Sequence, residues 1–153
     1  MSSFTEELEV TPLSNSKDWK LLKPFDYHVG SLESDQVVTV PAGFVTDFAS
    51  IPGLLIAILG LLGIAAGHYW GIIWLLLLGI LAVLAAASLP RWGKYGKAAI
   101  IHDWLYHTKQ LSRRMSDLIF LEGMEILSVG YIERTALYRA VRWFGWLAWR
   151  RRK

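Results

Sequence analysis

The residues best suited to chemistry lie in one run, Ala98-Ala99-Ile100-Ile101-His102-Asp103-Trp104-Leu105-Tyr106-His107, and in Asp117 a short way downstream. At helical spacing, Ala99, His102, Asp103 and Tyr106 share one face. A histidine with an ordinary pKa near 6.5 is a natural general base, and a buried carboxylate can fix which ring nitrogen carries the proton. The adjacent Asp103, aimed elsewhere, could hold a hard cation such as Ca²⁺ through oxygen. Asp103 and His107, four residues apart, could also serve with His102 as metal ligands. Against these stands a plain alternative, a histidine packed between helices with Asp103 as a cap. On spacing alone that alternative is favoured. Asp47, between Phe44 and Phe48 in an apolar run, is read first as a turn or cap residue and second as a site carboxylate.

These residues need two helices to bring them together. Small and apolar residues from Lys97 onward predict the first helix. A second is expected from Ser112, with apolar residues at 115, 118, 119, 121, 124, 126 and 127. The connection 108–111 is short, so the helices should run antiparallel. Asp117, early in the second, can then face His102, with Tyr106 beside it.

The rest of the chain divides by charge. Of 153 residues, 54% are hydrophobic and 19% charged, and mean hydropathy is +0.35, which excludes disorder. There is no cysteine, which excludes disulfides, iron–sulfur clusters, cysteine zinc sites and thiol nucleophiles. Residues 1–50 carry a balance of −5, residues 91–153 a balance of +8, and residues 51–89 carry no charged side chain. The first residues hold no basic and apolar signal pattern, so a cleaved secretory route is not expected.

The uncharged stretch is about long enough for two membrane spans at 1.5 Å per residue. Gly67-His68-Tyr69-Trp70-Gly71 at its middle predicts a reversal, giving a transmembrane hairpin of helices over 54–66 and 72–88. Gly63 and Gly67, and Ala82 and Ala86, have the spacing that lets backbones approach in lipid. Arg91, Lys94 and Lys97 would keep both flanks on the cytoplasmic side of a host inner membrane.

Before the hairpin, short β-branched runs at 8–13, 19–30, 36–40 and 44–50, separated by turn residues, predict a small antiparallel sheet or two hairpins. The expected fold is therefore α+β. It comprises a β-rich part (1–50), an inserted transmembrane helical hairpin (51–90), an antiparallel His-Asp helical module (91–130) and a basic aromatic helix (131–153). That last helix, with Trp143, Trp146, Trp149, Arg139, Arg142 and the closing Arg150-Arg151-Arg152-Lys153, suits a lipid bilayer better than nucleic acid.

Two resemblances add to this reading. Val40-Pro41-Ala42-Gly43-Phe44-Val45-Thr46-Asp47-Phe48-Ala49-Ser50-Ile51-Pro52, Gly96-Lys97 with the His-Asp run, and Asp117-Leu118-Ile119-Phe120 resemble an uncharacterised family of tailed phages and prophages. In that family a short loop stands where the hairpin is here. Separately, the His-Asp run followed by Asp117 is similar to the active-site helices of secretory and parvoviral phospholipase A2 enzymes. That likeness implies His102 as the base that activates water, Asp117 as the carboxylate that orients it, Tyr106 in support, and Asp103 as a Ca²⁺ ligand. The calcium loop of those enzymes has no close counterpart, so Pro41–Asp47 is expected to replace it, with Asp47 as the second ligand.

The expected function is that of a phage-encoded membrane protein at the host envelope, with phospholipase A2-like ester hydrolysis as its chemistry. Two alternatives stand beside it. One is a non-enzymatic virion or DNA-ejection component that partners other tail proteins or further copies of itself. The other is a peptidoglycan hydrolase.

Overall fold

The computed structural model describes residues 4, 7–14, 18–47, 51–88 and 94–151, with side chains except at 51–56, 85–88 and 151. The chain divides into two compact units, Met1–Ala49 with Trp92–Lys153, and the inserted segment Ser50–Arg91.

In the first unit, short strands follow the β-branched and aromatic runs. Strands β1 (Val10–Pro12), β2 (Trp19–Leu21) and β5 (Val45–Thr46) form one antiparallel sheet in the order β1-β2-β5. Strands β3 (Phe25–His28) and β4 (Val37–Val40) form a separate antiparallel pair, with Phe25 opposite Val40 and Tyr27 opposite Val38. Period-two alternation puts Phe25, Tyr27, Val38 and Val40 inside. The turn after β4 reverses at Gly43, whose φ of +87° suits glycine. The Gly43 amide donates to the Leu21 carbonyl at 2.7 Å, and the Leu21 amide to the Phe44 carbonyl at 2.8 Å. Those bonds lay residues 45–46 onto β2, and the strand expected over 44–50 is described only there.

Three helices complete this unit, α3 (Gly96–Thr108), α4 (Arg113–Ile126) and α5 (Tyr131–Arg151). Helix α3 is buried on nearly every side, because it packs against β4, α4 and α5. Its mixture of Ala, Ile and Leu fits a helix with little solvent face. Ser112 caps α4, its side chain accepting from the Met115 amide at 3.3 Å. The buried stripe of α4 differs from the apolar pattern. Ser116, Asp117, Phe120 and Gly123 face inward, while Met115 and Leu118 are exposed. Glu122 ties this helix to the β3–β4 pair, accepting from the Tyr27 hydroxyl and the Gly30 amide, both at 2.6 Å. Burial, then the Glu122 bond, holds the Tyr27 phenol well above its ordinary pKa.

The second unit is the hairpin of α1 (Ile51–Trp70) and α2 (Ile73–Ser88). Here the structure corrects the transmembrane expectation. Helix α2 has 16 residues and rises only about 24 Å, against about 30 Å of hydrocarbon. Helix α1 has 20 residues but spends its last turn on Gly67-His68-Tyr69-Trp70, the segment expected to form the reversal. Among the described residues no helix is long and apolar enough to cross a membrane. The transmembrane part of the expected fold class is thereby overturned, and with it the host inner-membrane location. What stands is α+β, with a small antiparallel β part.

The reversal itself falls at Gly71, with φ +67°, and the Ile72 amide donates back to the Gly67 carbonyl at 2.9 Å. Gly67 stays helical because its missing side chain makes room for α2. A Cβ there would stand 2.5 Å from the Leu76 amide nitrogen. The small residues join the two arms of one hairpin. A Cβ on Gly79 would meet the Gly60 carbonyl oxygen at 2.6 Å, and one on Gly60 the Gly79 oxygen at 2.8 Å. Gly63 is looser, 3.4 Å from Gly79 Cα. Ala86 lies outside the described side chains.

Because backbone cannot step aside, Gly79→Val should cost about 1–3 kcal/mol by overpacking. Gly130→Ala, where an added Cβ meets nothing within 4 Å, should stay within about 0.5 kcal/mol of wild type. Thermal unfolding followed by circular dichroism checks the pair.

Candidate active site

The site is built on the face where α3, α4 and α5 meet. Helix α3 approaches α4 closely because Gly123 lacks a side chain; a Cβ there would lie 2.9 Å from Ala98 Cβ. His102 and Tyr106, one turn apart on α3, both point to Asp117 on α4. His102 Nε2 lies 3.0 Å from Asp117 Oδ1, and the Tyr106 hydroxyl donates to the same oxygen at 2.6 Å. The imidazole is flanked by Tyr106, with ring centroids 4.2 Å apart, and Phe120, at 4.8 Å. His102 is 4% exposed and Asp117 0%.

Burial by itself would raise the Asp117 pKa. Hydrogen bonds from His102, Tyr106 and Arg142 outweigh it and hold the carboxyl below its ordinary value. Burial and the bond to Asp117 push the Tyr106 phenol well above its ordinary range. Asp117 is therefore the anion and Tyr106 the neutral donor. An ionised carboxylate only accepts, so His102 carries its hydrogen on Nε2 and is basic at Nδ1.

The structure thus brings together three of the residues that the sequence singled out, His102, Asp117 and Tyr106. It also supplies two that the sequence reading placed elsewhere or passed over. Arg142 of α5 donates from Nη1 to Asp117 Oδ2 at 2.6 Å. Arg113 stands 3.8 Å from that same oxygen and donates to the Arg142 carbonyl at 3.0 Å. A signal for Arg142 was present. Tyr138, Arg142, Gly145 and Trp149 lie on one stripe of α5 at helical spacing. A glycine in such a stripe marks a close approach, and Tyr106 is what approaches. Its hydroxyl would be 2.5 Å from a Cβ at Gly145, and its ring meets Trp149 edge-on at 5.1 Å.

Asp103 faces away from this group, 8% exposed, and accepts from the Thr46 hydroxyl at 2.5 Å, tying α3 to β5. Asp47 follows Thr46 in the chain and is half-buried. Calcium takes six to eight oxygen ligands. Among the described residues no three His, Asp or Glu side chains are gathered to hold a metal, and one Asp103 oxygen is engaged by Thr46. His102, Asp103 and His107 are therefore not gathered as a metal site among the described residues. The His107 ring instead lies near Phe44, at 5.9 Å, and Trp104, at 6.0 Å. Of the glycine-containing segment before α3, residues 92 and 93 lie outside the described residues.

A family model described as "Protein of unknown function (DUF1353)" matches residues 19–67 and 82–141. The chain belongs to the DUF1353 family. The matched ranges contain His102, Tyr106, Asp103, Arg113 and Asp117, and extend to the residue before Arg142. Residues 68–81, between the two matched ranges, comprise the end of α1, the reversal and the first nine residues of α2. No curated protein and no solved structure matches the chain.

Two outcomes follow for this DUF1353 chain. Asp117 contributes its full stabilisation above the ordinary carboxyl value of 3.8, and that contribution is lost as pH falls through its lower folded value. Wild type should therefore lose stability in acid more steeply than Asp117→Asn, as read by denaturant unfolding between pH 2 and 6, the range about the ordinary carboxyl pKa. Gly145→Ala should drive the Tyr106 ring off Asp117 and cost about 1–3 kcal/mol, measured by thermal unfolding.

Proposed function

We propose that this protein is a phage-encoded ester hydrolase with phospholipase A2-like chemistry, in which His102 is the general base. The observation that carries the proposal is the pairing of His102 Nε2 with the buried anion of Asp117 at 3.0 Å, while Tyr106 holds the same oxygen at 2.6 Å. This pairing orients the ring and presents Nδ1 as the proton acceptor. The phage setting is supported by the likeness of the three sequence motifs to proteins of tailed phages.

The chemistry follows from these roles. Nδ1 removes a proton from water as the water oxygen attacks the ester carbonyl carbon. The imidazolium that forms is stabilised by Asp117 across the Nε2 hydrogen bond. When the tetrahedral intermediate collapses, the C–O bond to the alcohol breaks. The departing oxygen takes the proton back from Nδ1, leaving a fatty acid and a lysophospholipid. Each step is carried by His102, Asp117 and water.

A second reading is favoured by the same burial. His102 is only 4% exposed and Asp117 is already neutralised by Arg142, which suits a clamp between three helices in a non-enzymatic phage component.

The two separate on one measurement. Fatty-acid release from phosphatidylglycerol in detergent micelles is followed with added Ca²⁺ and with chelator, for wild type and His102→Asn. We expect release by wild type in both conditions and a fall of roughly 10²-fold or more in the variant. Absence of release from wild type in either condition removes the hydrolase and leaves the clamp.

A further inference from the structure

We propose that Arg142 is a positioning residue for His102, acting through Asp117. Its guanidinium pins Asp117 Oδ2 so that Oδ1 stays aimed at Nε2, and this locks the imidazole in the Nε2–H tautomer. The catalytic consequence rests on the hydrolase reading; the tautomer lock does not.

The terminal torsion of Asp is broad, so one bond to one oxygen leaves the group able to turn. Oδ1 is shared by two donors from α3, His102 and Tyr106. Nothing on α3 holds Oδ2. That oxygen receives Arg142 Nη1 at 2.6 Å from α5. Arg113, on the same helix as Asp117, stands farther from that oxygen. Its Nη1 is 3.8 Å away and is engaged by the Arg142 carbonyl at 3.0 Å. Arg113 thereby holds the backbone that carries Arg142.

The result is a relay across three helices. Arg113 of α4 fixes α5 at residue 142, Arg142 fixes one oxygen of Asp117, and the other oxygen fixes the His102 ring. Gly145, one turn beyond Arg142, leaves the space in which the Tyr106 hydroxyl reaches that second oxygen. A charged donor on a long side chain, its backbone held by Arg113, suits this task. A lysine could supply the charge, although without the guanidinium fork.

The test is the tautomer of His102, read by long-range ¹⁵N–¹H correlation in ¹⁵N-histidine-labelled protein at neutral pH. Wild type should show a single Nε2–H form. Arg142→Met should show a mixture with the Nδ1–H form, and Arg142→Lys should return most of the Nε2–H population. Melting temperatures taken in parallel establish that each variant is folded. If Arg142→Met is not folded, Arg142→Leu is read in its place. A folded Met or Leu variant that keeps a pure Nε2–H ring overturns the proposal. Where wild type hydrolyses ester, Arg142→Met should lower kcat about tenfold or more with KM changed less than about twofold. A wild type that hydrolyses nothing while its variant loses the tautomer sinks the hydrolase reading and leaves the positioning role standing. Hydrolysis with an unmoved tautomer does the reverse.

Discussion

A carboxylate with no exposure to solvent needs partners for both oxygens, and Asp117 draws them from three helices. His102 and Tyr106 come from α3, Arg142 from α5, and Arg113 of its own helix stands nearby. Leaving a buried charge unpaired costs several kcal/mol, so the helices cannot shift apart without exposing that cost. The anion therefore defines where α3, α4 and α5 sit against each other. It also orders the imidazole, because an acceptor at Nε2 permits only one neutral tautomer.

The close approach of these helices is made by absences as much as by contacts. Gly123 lets Ala98 reach α4, and Gly145 lets Tyr106 reach α5. The strands do parallel work from the other side. The β3–β4 pair presents Tyr27 to Glu122, and β5 presents Thr46 to Asp103. Neighbouring acids thus serve different ends. Asp103 fastens helix to strand, whereas Asp117 organises the ring.

The hairpin follows the same packing rule in a separate unit. Gly60, Gly67 and Gly79 lie where each arm meets the backbone of the other. Small residues at four-residue intervals are a signature of helices packed backbone to backbone, and that signature does not distinguish lipid from water. The uncharged length and Gly67–Gly71 foretold two helices and a reversal near residue 70, but not whether those helices cross a membrane. Among the described residues none is long and apolar enough to do so.

Much of the site was legible in the residues themselves. The four-residue step from His102 to Tyr106, the small residues before them and the position of Asp117 on the next amphipathic run required only helical periodicity. The helix start at Ser112 and the short β-branched strands were legible from residue type. Periodicity is local, and it determines which residues share a face. It does not determine which neighbour that face meets. Arg142 looked like one more basic group on an aromatic tail until α5 was seen beside Asp117, and spacing did not show that β5 would bring Thr46 to Asp103. Met115 and Leu118 turned outward because the paired charge of Asp117 claimed the inner face of α4. Those assignments depend on contacts between residues distant in the chain, which only the packed tertiary structure can decide.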